Sequence, residues 1–129
     1  MDDTVFDLCF LDSGALLVSS PGGVRRCVAP DAATPEFELL WTAPTSDWDP
    51  QAIIRAGPST FVVGAFPLVE IRDRDVVVHE GPPGNPPPEA VQSCPRADGT
   101  CLVLTTAGLF SFDPAAIAAT RSPWTALQV

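Results

Sequence analysis

The sequence offers little for catalysis, because its one histidine, His79, stands beside Glu80 in the run DVVVHEG. Nucleophilic catalysis needs a base and a nucleophile that the fold brings together, and no G-x-S-x-G turn presents a serine here. We therefore expect His79 to be an ordinary strand residue at the edge of a sheet. The sequence predicts a protein that is not an enzyme and that uses no cofactor.

The carboxylates and cysteines give no metal-binding pattern. Aspartates recur in turns, where the side chain bonds to its own backbone, and the stretch 73–75 (DRD) lacks the further oxygen ligands of a calcium loop. The four cysteines form no CxxC pair, and we expect free, buried thiols. A Cys94–Cys101 bridge across a hairpin stays open, because the sequence does not fix the turn register.

A tryptophan between two aspartates is the strongest candidate for recognition. Trp48 lies between Asp47 and Asp49 in the proline-flanked stretch APTSDWDP. An aromatic face beside carboxylate acceptors is a combination that binds sugars, and tryptophan is a frequent anchor in protein interfaces. We predict that these three residues form a surface that binds a ligand or a partner.

Charge and hydropathy limit the partners. The net charge of -9 repels phosphate backbones and anionic lipid, so we expect neither nucleic acid nor membrane as a partner. No apolar stretch reaches the roughly 18 residues of a membrane span, and the acidic start MDDTVFDL is unlike a signal peptide. These features predict a cytoplasmic protein. All seven cations are arginine, which indicates GC-rich coding and a bacterial source.

Short strands dominate the chain, which has the length of one domain over residues 1–129. The fifteen prolines leave few windows long enough for a helix, and the best one is residues 114–120, with Asp113 as its N-cap. Elsewhere, apolar or alternating runs such as ALLVSS, TFVVGAF and TCLVLTT are separated by turn residues. Runs of this length, rich in Val, Leu, Ile and Phe, predict an antiparallel all-β fold.

Three copies of one unit follow each other along the chain. Residues 16–20, 61–65 and 102–106 align with one another, and each is preceded by a strand and followed by a turn and further strands. The copies span about 5–44, 49–83 and 90–129, and proline-rich connectors at 43–50 and 81–90 separate them. Four strands in each copy give twelve strands in total.

The last strand of the first and third copies carries the triplet WTA. The alignment makes Trp41 and Trp124 equivalent, and the matching position in the middle copy lies near His79. We predict that both tryptophans, together with Phe6 and Phe112, pack between the repeated units.

A repeat of about 40 residues with four strands resembles a blade of a β-propeller, of the generic WD40-like or BNR-like kind. The resemblance covers nearly the whole chain, although neither the GH…WD signature nor the Asp-box motif is present. It implies three four-stranded antiparallel blades in which each blade buries its faces against its neighbours.

Three blades alone would expose an apolar face at each end. Closed propellers have typically four to eight blades, so we expect a homodimer that completes a six-bladed ring. The predicted function is a non-enzymatic, lectin-like recognition module that binds a protein or glycan through its loops. The alternative is an architectural or regulatory subunit whose open blades dock onto a different protein chain.

Overall fold

Three sheets of four strands make up the structure, a computed structural model that describes residues 7–11, 13–20, 22–44, 48, 52–63, 66–72 and 74–128. The strands of the first sheet are β1 (Asp7–Phe10), β2 (Leu16–Ser20), β3 (Gly23–Cys27) and β4 (Glu38–Thr42). Those of the second are β5 (Ala52–Ala56), β6 (Ser59–Val63), β7 (Leu68–Arg72) and β8 (Asp75–His79). Those of the third are β9 (Ala90–Pro95), β10 (Cys101–Thr105), β11 (Gly108–Phe112) and β12 (Trp124–Leu127).

Each sheet is an antiparallel meander in chain order, so within a sheet each strand pairs with the next one along the sequence. The predicted all-β fold with three four-stranded repeats is therefore confirmed. The turn between the first and second strands contains a glycine at positive φ in each sheet: Gly14 at 89°, Gly57 at 59° and Gly99 at 87°. A residue with a side chain rarely adopts this conformation, which explains a glycine at the three equivalent turns.

One short helix, α1 (Pro114–Ala118), joins β11 to β12. The Asp113 side chain accepts a hydrogen bond from the Ala115 amide at 3.1 Å, as an N-cap does, and Pro114 follows it at the first helical position. The predicted helix and its cap are confirmed, although the helix ends two residues earlier than expected.

The three sheets stack face to face, with the second sheet in the middle. The first strands β1, β5 and β9 approach one another, which places the same edge of each sheet on one side of the stack. Between the first and second sheets lies an apolar cluster of buried residues: Leu17, Val24, Trp48, Val62, Val69 and Ile71. Between the second and third sheets lies another: Ile54, Phe61, Val63, Leu68, Cys101, Val103 and Phe112.

Strand register shows how the copies correspond. Leu17 lies opposite Arg26, Phe61 opposite Glu70 and Leu102 opposite Ser111, so these three strand pairs share one position in the repeat. The sequence alignment, which matched Leu16 with Phe61, was therefore wrong by one residue in the first copy. Because side chains alternate between the faces of a strand, this one-residue change decides which residues face the next sheet.

Register also corrects the predicted equivalence of the two WTA triplets. Trp41 lies opposite Val24 near the end of β4, whereas Trp124 lies opposite Phe112 at the beginning of β12. The true counterpart of Trp41 is His79, which lies opposite Leu68. The expected match near His79 is thus confirmed, and the match between Trp41 and Trp124 is wrong.

The two adjacent arginines of β3 point to opposite faces, as alternation predicts. Arg26 is buried toward the second sheet and pairs with Glu38, whose carboxylate lies 3.5 Å from its guanidinium. Arg25 lies on the other face, where its guanidinium donates a hydrogen bond to the Ser20 hydroxyl at 3.2 Å.

The cysteines are free thiols, as expected, but only Cys27 and Cys101 are buried, whereas Cys9 is half-buried and Cys94 is exposed. Register explains why Cys94 and Cys101 are not bridged. Cys94 lies opposite Leu102, whereas Cys101 lies opposite Pro95, one residue further along the same strand pair. Side chains at neighbouring positions of a strand pair project from opposite faces, so the two sulfur atoms lie on different sides of the third sheet.

Candidate functional site

Polar side chains interrupt the apolar second sheet at one end of β6 and β7. Ser59 begins β6, while Glu70 and Arg72 lie in and at the end of β7. The pairing of Phe61 with Glu70 places the Glu70 side chain on the face that packs against the third sheet. Glu70 is 4% exposed, so its carboxylate needs partners within the protein.

Three neighbours supply those partners. Oε2 of Glu70 accepts hydrogen bonds from the Ser59 hydroxyl at 2.5 Å and from Nε of Arg72 at 3.1 Å. Oε1 lies 2.8 Å from Nε2 of His79, the counterpart of Trp41 on the edge strand β8. Nε of Arg72 is also 2.9 Å from the Ser59 hydroxyl oxygen, so serine, glutamate and arginine form a closed triangle.

The network keeps the Glu70 carboxyl ionised. Burial alone would raise its pKa, but the hydrogen bonds from Ser59, His79 and Arg72, with the charge of Arg72, outweigh burial. The pKa of Glu70 therefore lies below its ordinary value. The carboxylate and the Arg72 guanidinium compensate each other at the wall of the second sheet.

The order of the three residues does not suit nucleophilic catalysis. In a serine–histidine–carboxylate relay, the imidazole stands between the hydroxyl and the carboxylate and takes the hydroxyl proton. Here Glu70 stands between Ser59 and His79, so the Ser59 hydroxyl donates to a carboxylate whose pKa is low. The arrangement orients and neutralises groups, and it does not activate a serine.

A cavity of about 470 Å³ opens next to this network, where the second and third sheets meet. We call it the rim cavity. Its lining comes from the β5–β6 turn, from β6 and β7, from the β9–β10 turn and from α1, and includes Ser59, Phe61, Glu70, Arg72, Asp98 and Ile117. A volume of this size, with apolar walls and a few convergent polar groups, is typical of small-molecule sites.

A smaller groove of about 320 Å³ lies beside the β3–β4 loop of the first sheet. Val28 and Phe37 line it from the two ends of the loop and are 68% and 47% exposed. Arg74 reaches it from the second sheet and pairs with Glu38 at 2.9 Å. The loop thus presents two apolar side chains beside a paired arginine and glutamate.

The structure places Trp48 in the core, and this corrects the expectation of an exposed ring. Trp48 is 3% exposed, packs edge-on against Trp41 with ring centroids 4.9 Å apart, and donates its indole N–H to the Pro67 carbonyl at 3.0 Å. The connector therefore inserts its tryptophan between the first and second sheets. Asp47 and Asp49 lie outside the described residues.

The other aromatic residues of interest lie between sheets. Trp41 contacts the cluster between the first and second sheets. Phe112 is fully buried between the second and third sheets, and Trp124 packs against it with ring centroids 5.0 Å apart. Phe6 lies outside the described residues.

Sequence reasoning missed Ser59, Glu70 and Arg72 as members of one network. The available signal was Glu70 itself, a carboxylate in the centre of the apolar run LVEIR. A strand buried on both faces is nearly continuous in apolar residues, so an acidic residue within it requires buried partners.

Neither a cluster of metal-ligating side chains nor a membrane-crossing helix is found in the described part of the chain. No group of three or more His, Cys, Asp or Glu side chains gathers where it could hold a metal ion among the residues that the structure describes. Within the same residues, no helix is long and apolar enough to cross a membrane.

Comparison of the chain with protein-family models, with curated proteins and with solved structures finds no match.

Proposed function

We propose that this protein is a non-enzymatic recognition module, a half-propeller of three blades that pairs with a second copy to form a closed six-bladed ring. The observation that carries the proposal is that, among the described residues, the first and third sheets each have an outer apolar face that no further sheet covers. The Ser59–Glu70–His79 order, which does not activate a nucleophile, supports a binding role rather than catalysis.

The open face of the first sheet is opposite to the one that covers the second sheet. It carries Leu8, Phe10, Leu16, Val18 and Leu39, of which Leu8, Phe10 and Leu39 are 54%, 58% and 50% exposed. The open face of the third sheet carries Leu102, Leu104, Leu109 and Leu127. Adjacent exposed apolar side chains of this kind usually mark an interface.

Register makes the two open faces complementary. The first sheet contributes Leu17 to its interface with the second sheet, and the second sheet contributes Phe61, at the same position of the repeat, to its interface with the third. The third sheet has Leu102 at this position, on its open face. From the other side of these interfaces, the second sheet contributes Val62 to the first interface and the third sheet contributes Val103, at the same position of the repeat, to the second. The first sheet has Val18 at this position, on its open face. The open face of the third sheet thus corresponds to the side of an internal interface that carries Leu17 or Phe61. The open face of the first sheet corresponds to the opposing side, which carries Val62 or Val103.

A second copy of the chain covers both open faces at once. The third sheet of each chain covers the first sheet of the other, and two such contacts close a ring about a two-fold axis. Six blades lie within the range of four to eight that closed propellers use. A blade face of roughly 500 Å² corresponds to about 12 kcal/mol at about 25 cal/mol per Å², which is comparable to the whole stability of a small domain.

Recognition by the ring uses loops that ring closure leaves exposed. The β3–β4 loop, with Val28 and Phe37 beside Arg74 and Glu38, fits an apolar protein segment better than a glycan. The buried position of Trp48 removes the main argument for glycan binding.

Light scattering coupled to size-exclusion chromatography tests the assembly. We expect the wild-type protein to elute with twice the 13.6 kDa chain mass and L104R to elute as a folded monomer. Val78 is 49% exposed on the second sheet and belongs to neither open face, so V78R is the matched control and should remain a dimer. A folded wild-type monomer at micromolar concentration would overturn the ring, and a fixed-stoichiometry complex with a different chain would favour the architectural alternative.

A further inference from the structure

The rim cavity combines three kinds of surface: the arginines Arg55 and Arg72, the carboxylates Glu70, Asp98 and Asp113, and an apolar wall. It lies between the second and third sheets of one chain, so its binding properties do not depend on ring closure. Together, the charges and the apolar wall determine which chemical groups of a ligand the cavity can bind.

Arg72 provides the cation with a fixed orientation. Its Nε atom is anchored by the Ser59 hydroxyl at 2.9 Å and by Glu70 Oε2 at 3.1 Å, while its side chain is 57% exposed. The anchoring uses the Nε–H and leaves the outer edge of the guanidinium, with its two terminal nitrogen atoms, for a ligand. A guanidinium held in this way matches the planar, two-oxygen geometry of a carboxylate.

Asp98 and Asp113 provide the acidic side of the cavity. One oxygen of Asp98 accepts from the amide and the hydroxyl of Thr100 and lies 4.0 Å from Nε of Arg96, and one oxygen of Asp113 caps α1. In both residues the second oxygen makes no hydrogen bond within the described part of the chain. The hydrogen bonds from Thr100 lower the pKa of Asp98, so this side attracts a cationic group and disfavours a multiply charged anion.

Phe61 and Ile117 provide the apolar wall. Phe61 is 2% exposed and packs against Phe112 with ring centroids 5.5 Å apart, so its position is fixed. Ile117 comes from α1 on the opposite side and is half-buried. A compact aliphatic group can lie between them without exposing further polar surface.

We propose that the rim cavity binds a free α-amino acid with an aliphatic side chain. The carboxylate pairs with Arg72, the ammonium group faces Asp98 and Asp113, and the side chain lies against Phe61 and Ile117. A zwitterion suits the cavity because each of its charges meets an opposite charge, whereas a simple anion meets two carboxylates. The volume of about 470 Å³ lies at the lower end of the range for ligand sites, which favours a small ligand.

Isothermal titration with three probes tests the assignment: L-leucine, L-leucinamide and N-acetyl-L-leucine. We expect L-leucine to bind, and both analogues to bind at least about tenfold more weakly, because each lacks one of the two charges. R72Q should weaken L-leucine binding about tenfold or more. R121Q is the matched control, because Arg121 is exposed and lines neither the rim cavity nor the groove beside the β3–β4 loop, and it should leave the affinity within about twofold.

A second measurement uses the wild-type protein and so does not depend on the folding of a variant. In methyl NMR spectra, L-leucine should shift the Ile117 methyl signals and leave those of Ile53, which packs between the first and second sheets, unchanged. The proposal is overturned by the absence of L-leucine binding at millimolar concentration, by equal affinity for L-leucinamide, or by shifts at Ile53 without shifts at Ile117. Failure here would leave the dimer result unaffected, and a monomeric wild-type protein would leave this titration unaffected.

Discussion

Leu17 and Phe61 occupy the same register position in successive sheets, and each faces the next sheet along the chain. Leu102 holds that position in the third sheet, which is the last sheet in the described part of the chain. The chain therefore contains one kind of interface twice and exposes its two halves at the ends. This relationship is the basis of the head-to-tail direction in the proposed assembly.

The direction of assembly can be tested by mixing two variants. L104R damages the open face of the third sheet, and L39R damages that of the first sheet, where Leu39 lies opposite Arg25. Each variant alone should be monomeric. An equimolar mixture should form a heterodimer with one intact contact, since the undamaged faces are of opposite kinds, and its Kd should lie between those of wild type and single variants. Dimerisation of L104R alone would show that like faces pair and would contradict the head-to-tail arrangement.

Much of the fold could be predicted, because the apolar runs, the turn residues and the helix cap in the sequence all indicate the same order of strands and helix. Alternating apolar runs separated by Gly and Pro specify the strands, and Asp113 before Pro114 specifies the helix start. The correspondence between copies could not be predicted as well. The two WTA triplets look equivalent, but their positions depend on where β4 and β12 begin and on a register shift between Val24 and Arg25.

The candidate site was less predictable than the fold. Trp48 looked exposed because proline and aspartate surround it, and only the assembled sheets show that a connector can insert its side chain between them. The partners of Glu70 come from three different strands, and His79 reaches it across the β7–β8 pair. Contacts of this kind depend on register, which no local pattern specifies.

Trp48 contributes to stability rather than to recognition. Replacement by alanine would leave a large cavity beside Trp41 and leave the Pro67 carbonyl without its indole donor. We expect W48A to lose about 3–5 kcal/mol of unfolding free energy in urea titration, while W48F, which keeps most of the apolar contact, loses less. A W48A protein as stable as wild type would contradict the buried position.

The Glu70 network should make stability depend on pH. Since the folded-state pKa of Glu70 is below its ordinary value, the ionised carboxylate contributes stability above about pH 4.3, the unfolded value, and this contribution is lost as the pH falls through the folded value. We expect E70Q to cost about 3 kcal/mol at pH 7, because it removes the negative charge and replaces one of the two oxygens that accept from Ser59, Arg72 and His79 with an amide donor.

Urea titrations at pH 7 and pH 3, at one protein concentration, test this expectation. The stability difference between wild type and E70Q should shrink on acidification. The control E89Q replaces an exposed carboxylate in the second connector and should differ from wild type by less than about 0.5 kcal/mol at both values. A difference for E70Q that is unchanged between pH 7 and pH 3 would show that Glu70 is not held as a carboxylate.

Thiol reactivity reports on the open face of the third sheet without any change to that face. Cys94 is exposed and lies opposite Leu102 on this face, whereas Cys27 and Cys101 are buried. Burial raises the pKa of Cys101 to about 11, so its reactive thiolate is scarce at pH 8 and iodoacetamide should label it slowly.

The test compares the alkylation rate of Cys94 in the dimeric wild type with the rate in a monomeric variant. In the ring, the first sheet of the second copy covers Cys94, so its alkylation at pH 8 should be at least about tenfold slower in wild type than in the monomeric L39R variant, as followed by mass spectrometry of peptides. L39R alters the first sheet only, so any change at Cys94 must pass through contact between chains. Equal rates in a dimeric wild type and in L39R would place the dimer contact elsewhere, and the two open faces would then need another partner.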